Sequence, residues 1–154
     1  MEKSVIVTGC NQGTGYLVCQ RFEREGYTVY GLDLNVGDYN QYTGRCDLCD
    51  LVKTEEVLKR LFADKGTPDV LVNNAGIYFG VNWEAQTIEQ YEKTMDVNSR
   101  AVFYVTKLFA RQLIKANRPG SVVNVSSISA QIGSIDPAYA ASKAAVEALT
   151  KSFA

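Results

Sequence analysis

The stretch SVIVTGCNQGTG, residues 4–15, decides the fold of this chain. A short run of apolar and β-branched residues leads directly into a loop with three glycines, Gly9, Gly13 and Gly15. Glycines between a strand and a helix allow a tight turn and let the backbone approach a pyrophosphate, while the helix N-terminus supplies unpaired N–H groups. The stretch therefore predicts a strand, a dinucleotide-binding turn and a helix, although glycines in an isolated match can also simply turn the chain.

Three more apolar runs follow the first, at intervals long enough for a helix. They are YTVYGLD at 27–33, DVLVNNAG at 69–76 and SVVNVSS at 121–127. Continuous runs of Val, Ile and Leu are typical of strands buried on both faces, which occur in parallel sheets with right-handed helical crossovers. We therefore predict the α/β class, with a Rossmann-type doubly wound parallel sheet, in a single domain that spans residues 1–154.

Several residues predict where helices begin and end. Gly26 is expected to end the first helix, and Thr87 and Gln90 have the spacing of a capping box at the start of another. Asp136 and Pro137 suit the N-cap and first position of a last helix that runs to the end of the chain. Apolar residues recur at helical spacing in the intervening segment, at Val102, Val105, Phe109 and Leu113, until NRPG at 117–120.

Composition and charge exclude several classes of protein. The chain has 154 residues, of which 46% are hydrophobic and 21% charged, as in an ordinary globular domain. A formal net charge of -1 leaves no basic footprint for nucleic acid. The apolar runs are far shorter than the roughly 20 residues of a membrane-spanning helix, and the N-terminal MEKSVIVTG has too few apolar residues for a signal peptide. We expect no nucleic-acid partner, no membrane association and a cytoplasmic location.

The four cysteines predict neither a disulfide framework nor a metal site. Cys46 and Cys49 form a C-x-x-C pair, a spacing found in redox motifs and in halves of zinc sites. A zinc site needs two more ligands, and the chain has no histidine and no second C-x-x-C. We therefore expect no bound metal and interpret the spacing as incidental.

An acidic residue at the end of the second apolar run predicts the cofactor. Asp33 follows Gly15 by eighteen residues, where a carboxylate can accept hydrogen bonds from both ribose hydroxyls of NAD. The same charge repels the 2′-phosphate of NADP, which carries roughly -1.5 to -2 charges. Asn11 and Gln12 in the glycine loop, and the two residues after Asp33, supply no compensating cation. We therefore predict NAD in preference to NADP.

Tyr139 and Lys143 lie one helical turn apart on the last predicted helix. A phenol, whose ordinary pKa is about 10, is a poor base at neutral pH, but a nearby ammonium stabilises the phenolate and lowers that pKa. The chain contains no histidine, so the commonest general base is absent and another side chain must be tuned. The spacing alone is common on surface helices and indicates catalysis only together with other motifs.

The order and spacing of these motifs closely resemble the classical short-chain dehydrogenase/reductase family over the whole chain. The resemblance implies an NAD-dependent enzyme that transfers a hydride between nicotinamide and a small-molecule carbonyl or secondary alcohol. It also implies a homodimer or homotetramer formed through helices at 99–116 and 137–154. The matching segments are TGCNQGTG at 8–15, Asp33, NNAG at 73–76, Asn98, NVSS at 124–127 and YAASK at 139–143.

The resemblance implies a catalytic tetrad of Asn98, Ser127, Tyr139 and Lys143. Tyr139 would be the general base in oxidation and the general acid in reduction, and Ser127 would orient the substrate oxygen. Lys143 would lower the pKa of Tyr139 and hold the nicotinamide ribose. Asn98 would fix a water molecule in a proton relay.

The resemblance also implies which residues would bind the cofactor. Asp47 and Leu48 would contact adenine, which makes the neighbouring cysteines bystanders, and Asn73 would touch the cofactor from the NNAG segment. The aromatic residues that follow, at 78–83, stand where the family places part of the substrate pocket wall. The full predicted cofactor-binding set is Gly9, Asn11, Gln12, Gly13, Thr14, Gly15, Asp33, Asp47, Leu48, Asn73, Ala75, Gly76, Tyr139 and Lys143.

The sequence departs from the family pattern in the spacing of its serine. Ser127 precedes Tyr139 by one residue fewer than is usual in the family, and the usual spacing would select Ser126. Side chains alternate along a strand, so only one of the two serines can point into the site. We prefer Ser127, because the family normally uses the second serine of the pair.

A second departure is the end of the chain, since the family continues well past the tyrosine helix. We therefore expect SVVNVSS to form an exposed edge strand, and we expect the domain to lack the family's C-terminal substrate-binding part. Either the chain is a fragment of a longer enzyme, which we favour because a complete tetrad has no use without a pocket, or it is a truncated NAD-binding or regulatory protein without catalysis. An epimerase or dehydratase of the family's extended branch is disfavoured by the glycine spacing.

Overall fold

A computed structural model describes residues 3–154 and shows a four-stranded sheet with helices on both faces. The strand order is β2-β1-β3-β4, and every pair of neighbours is parallel. The strands are β1 (Ser4–Thr8), β2 (Thr28–Leu32), β3 (Val70–Asn73) and β4 (Ser121–Asn124). The predicted α/β class, the doubly wound parallel sheet and the position of each strand are confirmed.

The helices alternate with the strands, as the spacing of the apolar runs predicted. The crossovers contain α1 (Gly13–Arg24), α2 (Leu51–Lys65), α3 (Ile88–Met95) and α4 (Ala101–Ala116). A π-helical turn, Asp96–Arg100, joins α3 to α4 without a break. A short α5 (Ser129–Ile132) and a long α6 (Pro137–Phe153) follow β4. The helix expected from residue 99 therefore takes up α-helical geometry at Ala101, because residues 96–100 form the wider turn.

Two apolar clusters hold the sheet between its helices. On one face Ile6 and Leu71 of the central strands pack with Leu58 of α2 and Phe109 of α4, and all four are fully buried. On the other face Val5, Val7 and Val72 pack with Cys19 of α1. Neighbouring residues of a strand thus enter opposite clusters, which is why these strands are apolar throughout.

Three other predicted helix boundaries are confirmed. Gly26 follows α1 with a φ of 79°, a left-handed conformation that glycine adopts without a steric penalty. Thr87 and Gln90 form a complete capping box at the start of α3. The carboxylate of Asp136 accepts a hydrogen bond from Tyr139 N, and Pro137 is the first residue of α6.

The last strand lies at the edge of the sheet, as expected. β4 pairs with β3 alone among the described strands, and Val123 on it is 49% exposed. Across residues 3–154, no helix combines the length and apolar character needed to cross a membrane.

Candidate cofactor cleft and active site

A cleft of about 410 Å³ lies at the carboxyl ends of β1, β2 and β3. In doubly wound sheets, this edge, where the connections leave in opposite directions, is the usual ligand site. It is lined by these members of the predicted cofactor set: Gly9, Gln12, Gly13, Thr14, Gly15, Asp33, Asp47, Leu48, Ala75 and Gly76. The glycine loop, the acid after β2 and the NNAG segment therefore meet around one cavity.

The glycine loop is shaped by close backbone approaches. A Cβ on Gly15 would lie 1.9 Å from the carbonyl oxygen of Gly9, and one on Gly9 would lie 2.9 Å from Ala75 Cα. Gly13 has a φ of 51°, and a Cβ there would meet no atom within 4 Å beyond its chain neighbours and the backbone of its own helix, among the residues that the structure describes. Gly9 and Gly15 thus allow loop and strand to pack, while Gly13 leaves open space at the mouth of the cleft.

The N-terminus of α1 is suited to bind an anion in this cleft. Gln12 is its N-cap, and within residues 3–154 its side chain makes no capping hydrogen bond. The first N–H groups of a helix have no partner in the helix, and the helix dipole gives them a partial positive charge. Because Gln12, Gly13 and Thr14 all line the cleft, this end of the cavity fits a pyrophosphate.

Asp33 lines the same cleft beside the glycine loop and is held there by backbone amides. Its Oδ2 accepts a hydrogen bond from Asn11 N, and its Oδ1 accepts one from Asn35 N, both at 3.0 Å. The buried side chain of Asn40 donates to the backbone carbonyls of Asp33, at 3.4 Å, and Gly44, at 3.2 Å. These bonds fix the carboxylate where it can accept hydrogen bonds from a ribose.

Two predicted cofactor residues have side chains directed elsewhere. The amide of Asn11 bonds to Asn40 Oδ1 at 3.0 Å, in the loop after β2. Asn73 is buried, and its amide donates to Thr106 Oγ1 of α4 at 2.9 Å and to Asn124 Oδ1 of β4 at 2.7 Å. Their amides therefore brace the protein interior around the cleft.

Other residues line the cleft without having been predicted. Asn74, the second asparagine of NNAG, donates to the carbonyls of Thr8 and Gly9 and so joins β3 to the glycine loop. Strand alternation within NNAG was the available signal, since only one of two successive side chains can face α4. Lys93 and Val97 enter from α3 and the π-helical turn, which no local motif indicated.

Tyr139 and Lys143 lie on one face of α6, as predicted. Lys143 is only 4% exposed, its Nζ is 5.8 Å from the centre of the Tyr139 ring, and it donates to Val125 O at 2.8 Å. Burial lowers the pKa of Lys143, because it disfavours the charged ammonium. A Cβ on Gly76 would lie 3.5 Å from this Nζ, so the lysine stands at the end of the cofactor cleft.

Asn98 connects the π-helical turn to the cleft and to α6. Its Oδ1 accepts from Ile77 N at 2.8 Å, and its Nδ2 donates to Ile77 O at 3.0 Å and to Ser142 Oγ at 3.1 Å. Single π-helical turns inside α-helices are frequently found at functional sites. The side chain of Asn98 is fully buried and fixes the backbone directly after Gly76.

The two candidate serines have different partners. Ser126 Oγ lies 3.1 Å from Glu147 Oε1 and 3.3 Å from Lys143 O, so its hydroxyl faces the body of α6. Ser127 Oγ accepts a hydrogen bond from Ser129 N at 3.2 Å, at the start of α5.

All four cysteines are free thiols. Burial raises the pKa of Cys10 and of Cys19 to about 12, and it also raises that of Cys46, which lines the cleft. Cys49 is less buried and accepts a hydrogen bond from Lys93 Nζ at 3.4 Å, yet burial still raises its pKa. In the part of the chain that the structure describes, no three His, Cys, Asp or Glu side chains are grouped to hold a metal ion.

A sequence model of the family described as short chain dehydrogenase matches residues 3–154. The chain belongs to the short-chain dehydrogenase family. It is 34% identical over 166 residues to a cyclopentanol dehydrogenase of Comamonas sp., covering 99% of this chain and 66% of that protein. It is 32% identical over 158 residues to an L-xylulose reductase of Bos taurus, and the match covers 97% of this chain and 63% of that protein. The chain thus spans slightly less than two thirds of these relatives.

Solved structures give the same relationship. A 4-hydroxyisoleucine dehydrogenase complexed with NADH superposes with a TM-score of 0.87 at 28% identity, covering 97% of this chain and 67% of that one. The ligand-free aldohexose dehydrogenase of Thermoplasma acidophilum superposes with a TM-score of 0.89 at 34% identity. The superposition covers 99% of this chain and 60% of that one. The Rossmann-type fold is therefore shared with dehydrogenases of known structure.

Proposed function

We propose that this chain is the cofactor-binding and catalytic part of an NAD-dependent oxidoreductase. Its reaction would transfer a hydride between nicotinamide and a small-molecule carbonyl or secondary alcohol. The observation that carries the proposal is the placement of Lys143, whose buried ammonium stands one turn from Tyr139 and beside Gly76 at the end of the cleft. The names of the dehydrogenases and reductases that the chain resembles support the same reaction class.

The chemistry assigned to the chain's own residues is proton transfer and orientation. Nicotinamide supplies or accepts the hydride when it is bound. Tyr139 gives a proton to the substrate oxygen in reduction and removes it in oxidation, and the Lys143 ammonium lies 5.8 Å from the centre of the Tyr139 ring. Lys143 and Tyr139 would also contact the nicotinamide ribose. Asn98 is proposed to take part in a proton relay; its side chain holds the backbone of Ile77 and contacts Ser142 of α6.

The serine that orients the substrate oxygen is proposed to be Ser127. The hydroxyl of Ser126 is engaged by Glu147, whereas Ser127 bonds only to the backbone of the neighbouring turn among the contacts described. Ser127→Ala is expected to lower kcat roughly 100-fold or more, as for loss of an oxyanion donor. Ser126→Ala is the matched control and should change kcat by no more than severalfold. The reverse pattern in steady-state kinetics would assign the role to Ser126.

The cofactor is proposed to be NAD rather than NADP. Both carboxylate oxygens of Asp33 are held by backbone amides, so the charge cannot easily turn away from a 2′-phosphate. The dissociation constant of NADPH should therefore exceed that of NADH by at least about tenfold. Asp33→Asn removes the charge and gives up one of the two backbone hydrogen bonds, so it should bring the dissociation constants of NADH and NADPH closer together. Equal affinities of the parent protein for the two cofactors would contradict this assignment.

The protein is proposed to form a homodimer or homotetramer through α4 and α6. Phe103 on α4 and Phe153 on α6 form an exposed aromatic pair with ring centres 5.9 Å apart, and Ile114 on α4 is 78% exposed. Exposed apolar area of this kind marks association surfaces. Light scattering should give at least twice the mass of one chain. In Phe103→Asp the measured mass should fall to that of a single chain. A monomeric parent at working concentration would contradict the proposal.

We propose a cytoplasmic location, since four free thiols, three of them buried, suit a reducing compartment.

A regulatory NAD-binding protein is the alternative to the proposed oxidoreductase. Binding of NADH without turnover of any alcohol or carbonyl would favour that alternative.

A further inference from the structure

A buried carboxylate fastens the loop after β3 to the N-terminus of α6. Asp136 is 0% exposed and is the N-cap of that helix. Its Oδ1 accepts hydrogen bonds from Tyr139 N at 3.1 Å and from Gln86 Nε2 at 2.6 Å. Its Oδ2 accepts from Phe79 N and Gly80 N, each at 3.2 Å. Capping requires only the bond to Tyr139 N, so three of the four bonds serve to attach the loop.

Gln86 completes the attachment at the other end of the loop. Its Nε2 donates to Asp136, while its Oε1 accepts a hydrogen bond from Ala138 N at 3.1 Å. Ala138 lies in the first turn of α6, where backbone N–H groups have no partner within the helix. Residues 77–86, here called the docking loop, are thus bonded to α6 near both ends.

The docking loop carries an aromatic ring that lies against Tyr139. The ring centres of Tyr78 and Tyr139 are 5.0 Å apart, in an edge-to-face arrangement with an interplanar angle of 68°. A Cβ on Gly80, where φ is 69°, would lie 3.3 Å from the Tyr78 ring, so this glycine leaves room for it. The bonds from Asp136 to the next two amides fix the backbone directly after Tyr78.

We propose that Asp136 and Gln86 are positioning residues that hold Tyr78 against Tyr139, so that the two rings face the substrate as one surface. The same carboxylate caps the helix that carries Tyr139, so a single buried group sets the position of both rings. The inference rests on the proposed function for the meaning of this surface. The attachment itself requires neither cofactor nor turnover.

The substitution Asp136→Asn separates helix capping from loop attachment. Asparagine is as good an N-cap as aspartate, and its carbonyl oxygen can still accept from Tyr139 N and Gln86. Its amide, however, sets two N–H donors against the N–H groups of Phe79 and Gly80. Gln86→Leu is a second variant, which removes the bonds at the far end of the loop, including the acceptor of Ala138 N, and leaves the cap bond from Tyr139 N to Asp136 in place. Asp50→Asn, at the N-cap of α2, is the matched control.

Hydrogen–deuterium exchange measures the attachment directly. In Asp136→Asn, peptides covering residues 77–86 should exchange roughly tenfold faster or more, since bonds to a charged acceptor are lost. Peptides of α6 should stay within about twofold of the parent, because the helix keeps its cap. Gln86→Leu should show the same pattern beyond the first turn of α6, where Ala138 N loses its acceptor, and Asp50→Asn should leave the docking loop unchanged. Equal loss of protection in α6 and the docking loop would show that Asp136 serves only as the N-cap of α6, and would overturn the proposal.

A spectroscopic signature tests the effect on Tyr139. In protein labelled with 3-fluorotyrosine, the ¹⁹F resonance of Tyr139 is identified by its loss in Tyr139→Phe. In Asp136→Asn and Gln86→Leu it should move toward its position in Tyr78→Ala, where the neighbouring ring is gone. An unmoved resonance in both variants, or unchanged exchange of the docking loop, would overturn the inference. Both measurements remain valid in a protein that never turns over, so failure of the proposed function is recognised separately.

Discussion

Tyr139→Phe is expected to lose roughly 1000-fold or more of kcat while binding NADH as tightly as the parent, within about threefold. The phenol oxygen is the only atom removed, and the cleft formed by the glycine loop and Asp33 is left intact. Proton transfer should therefore fail while cofactor affinity is kept. Steady-state kinetics with an alcohol or ketone that the parent accepts, together with NADH titration, measures both quantities.

The matched control for this change is Tyr91→Phe. Tyr91 lies on α3 and is exposed, so loss of its hydroxyl should leave kcat and cofactor affinity unchanged. Retained turnover in Tyr139→Phe would remove Tyr139 from the mechanism. A parallel loss of NADH binding would show that the tyrosine serves the cofactor more than the substrate.

Gly15→Ala is expected to damage both the fold and the cleft. The new Cβ would lie 1.9 Å from Gly9 O and 2.4 Å from Asn74 Nδ2, so the glycine loop must move away from β3. Overpacking of this kind costs about 3 kcal/mol or more where backbone is displaced. The free energy of unfolding in urea should fall by that amount, and NADH affinity should fall at least tenfold.

Gly26→Ala is the control for a glycine outside the cleft. Gly26 has a φ of 79°, but among the residues that the structure describes a Cβ there would meet no atom within 4 Å beyond its chain neighbours. Its replacement should cost about 1 to 2 kcal/mol from the left-handed backbone alone and leave NADH affinity unchanged. Comparable stability and affinity for Gly15→Ala and the parent would contradict the close approach seen in the loop.

The framework of this domain could be predicted because its signals are local. The four apolar runs became the four strands, and Gly26, Asp136 and the Thr87–Gln90 pair marked helix boundaries where they were expected. Each of these signals depends on the backbone conformation and hydrogen bonds of a few neighbouring residues, so it can be recognised in the sequence alone.

Side-chain direction could not be predicted in the same way. Asn73 and Asn74 are adjacent and chemically identical, and only the packing of β3 against α4 turns the first inward and leaves the second at the cleft. Lys93 and Asp47 both line the cleft, although they are more than forty residues apart in the sequence. The attachment of Gln86 to Asp136 likewise joins segments 50 residues apart. Such contacts depend on the tertiary arrangement and leave no mark in local spacing.

We propose that the cleft formed by the glycine loop and Asp33 binds NAD. The most direct test is a fluorescence titration of the protein with NADH. We expect saturable binding of one NADH per chain, competed by NAD and weakened at least tenfold by Gly15→Ala. Absence of saturable binding up to about 1 mM, which corresponds to a binding free energy weaker than about -4 kcal/mol, would contradict it.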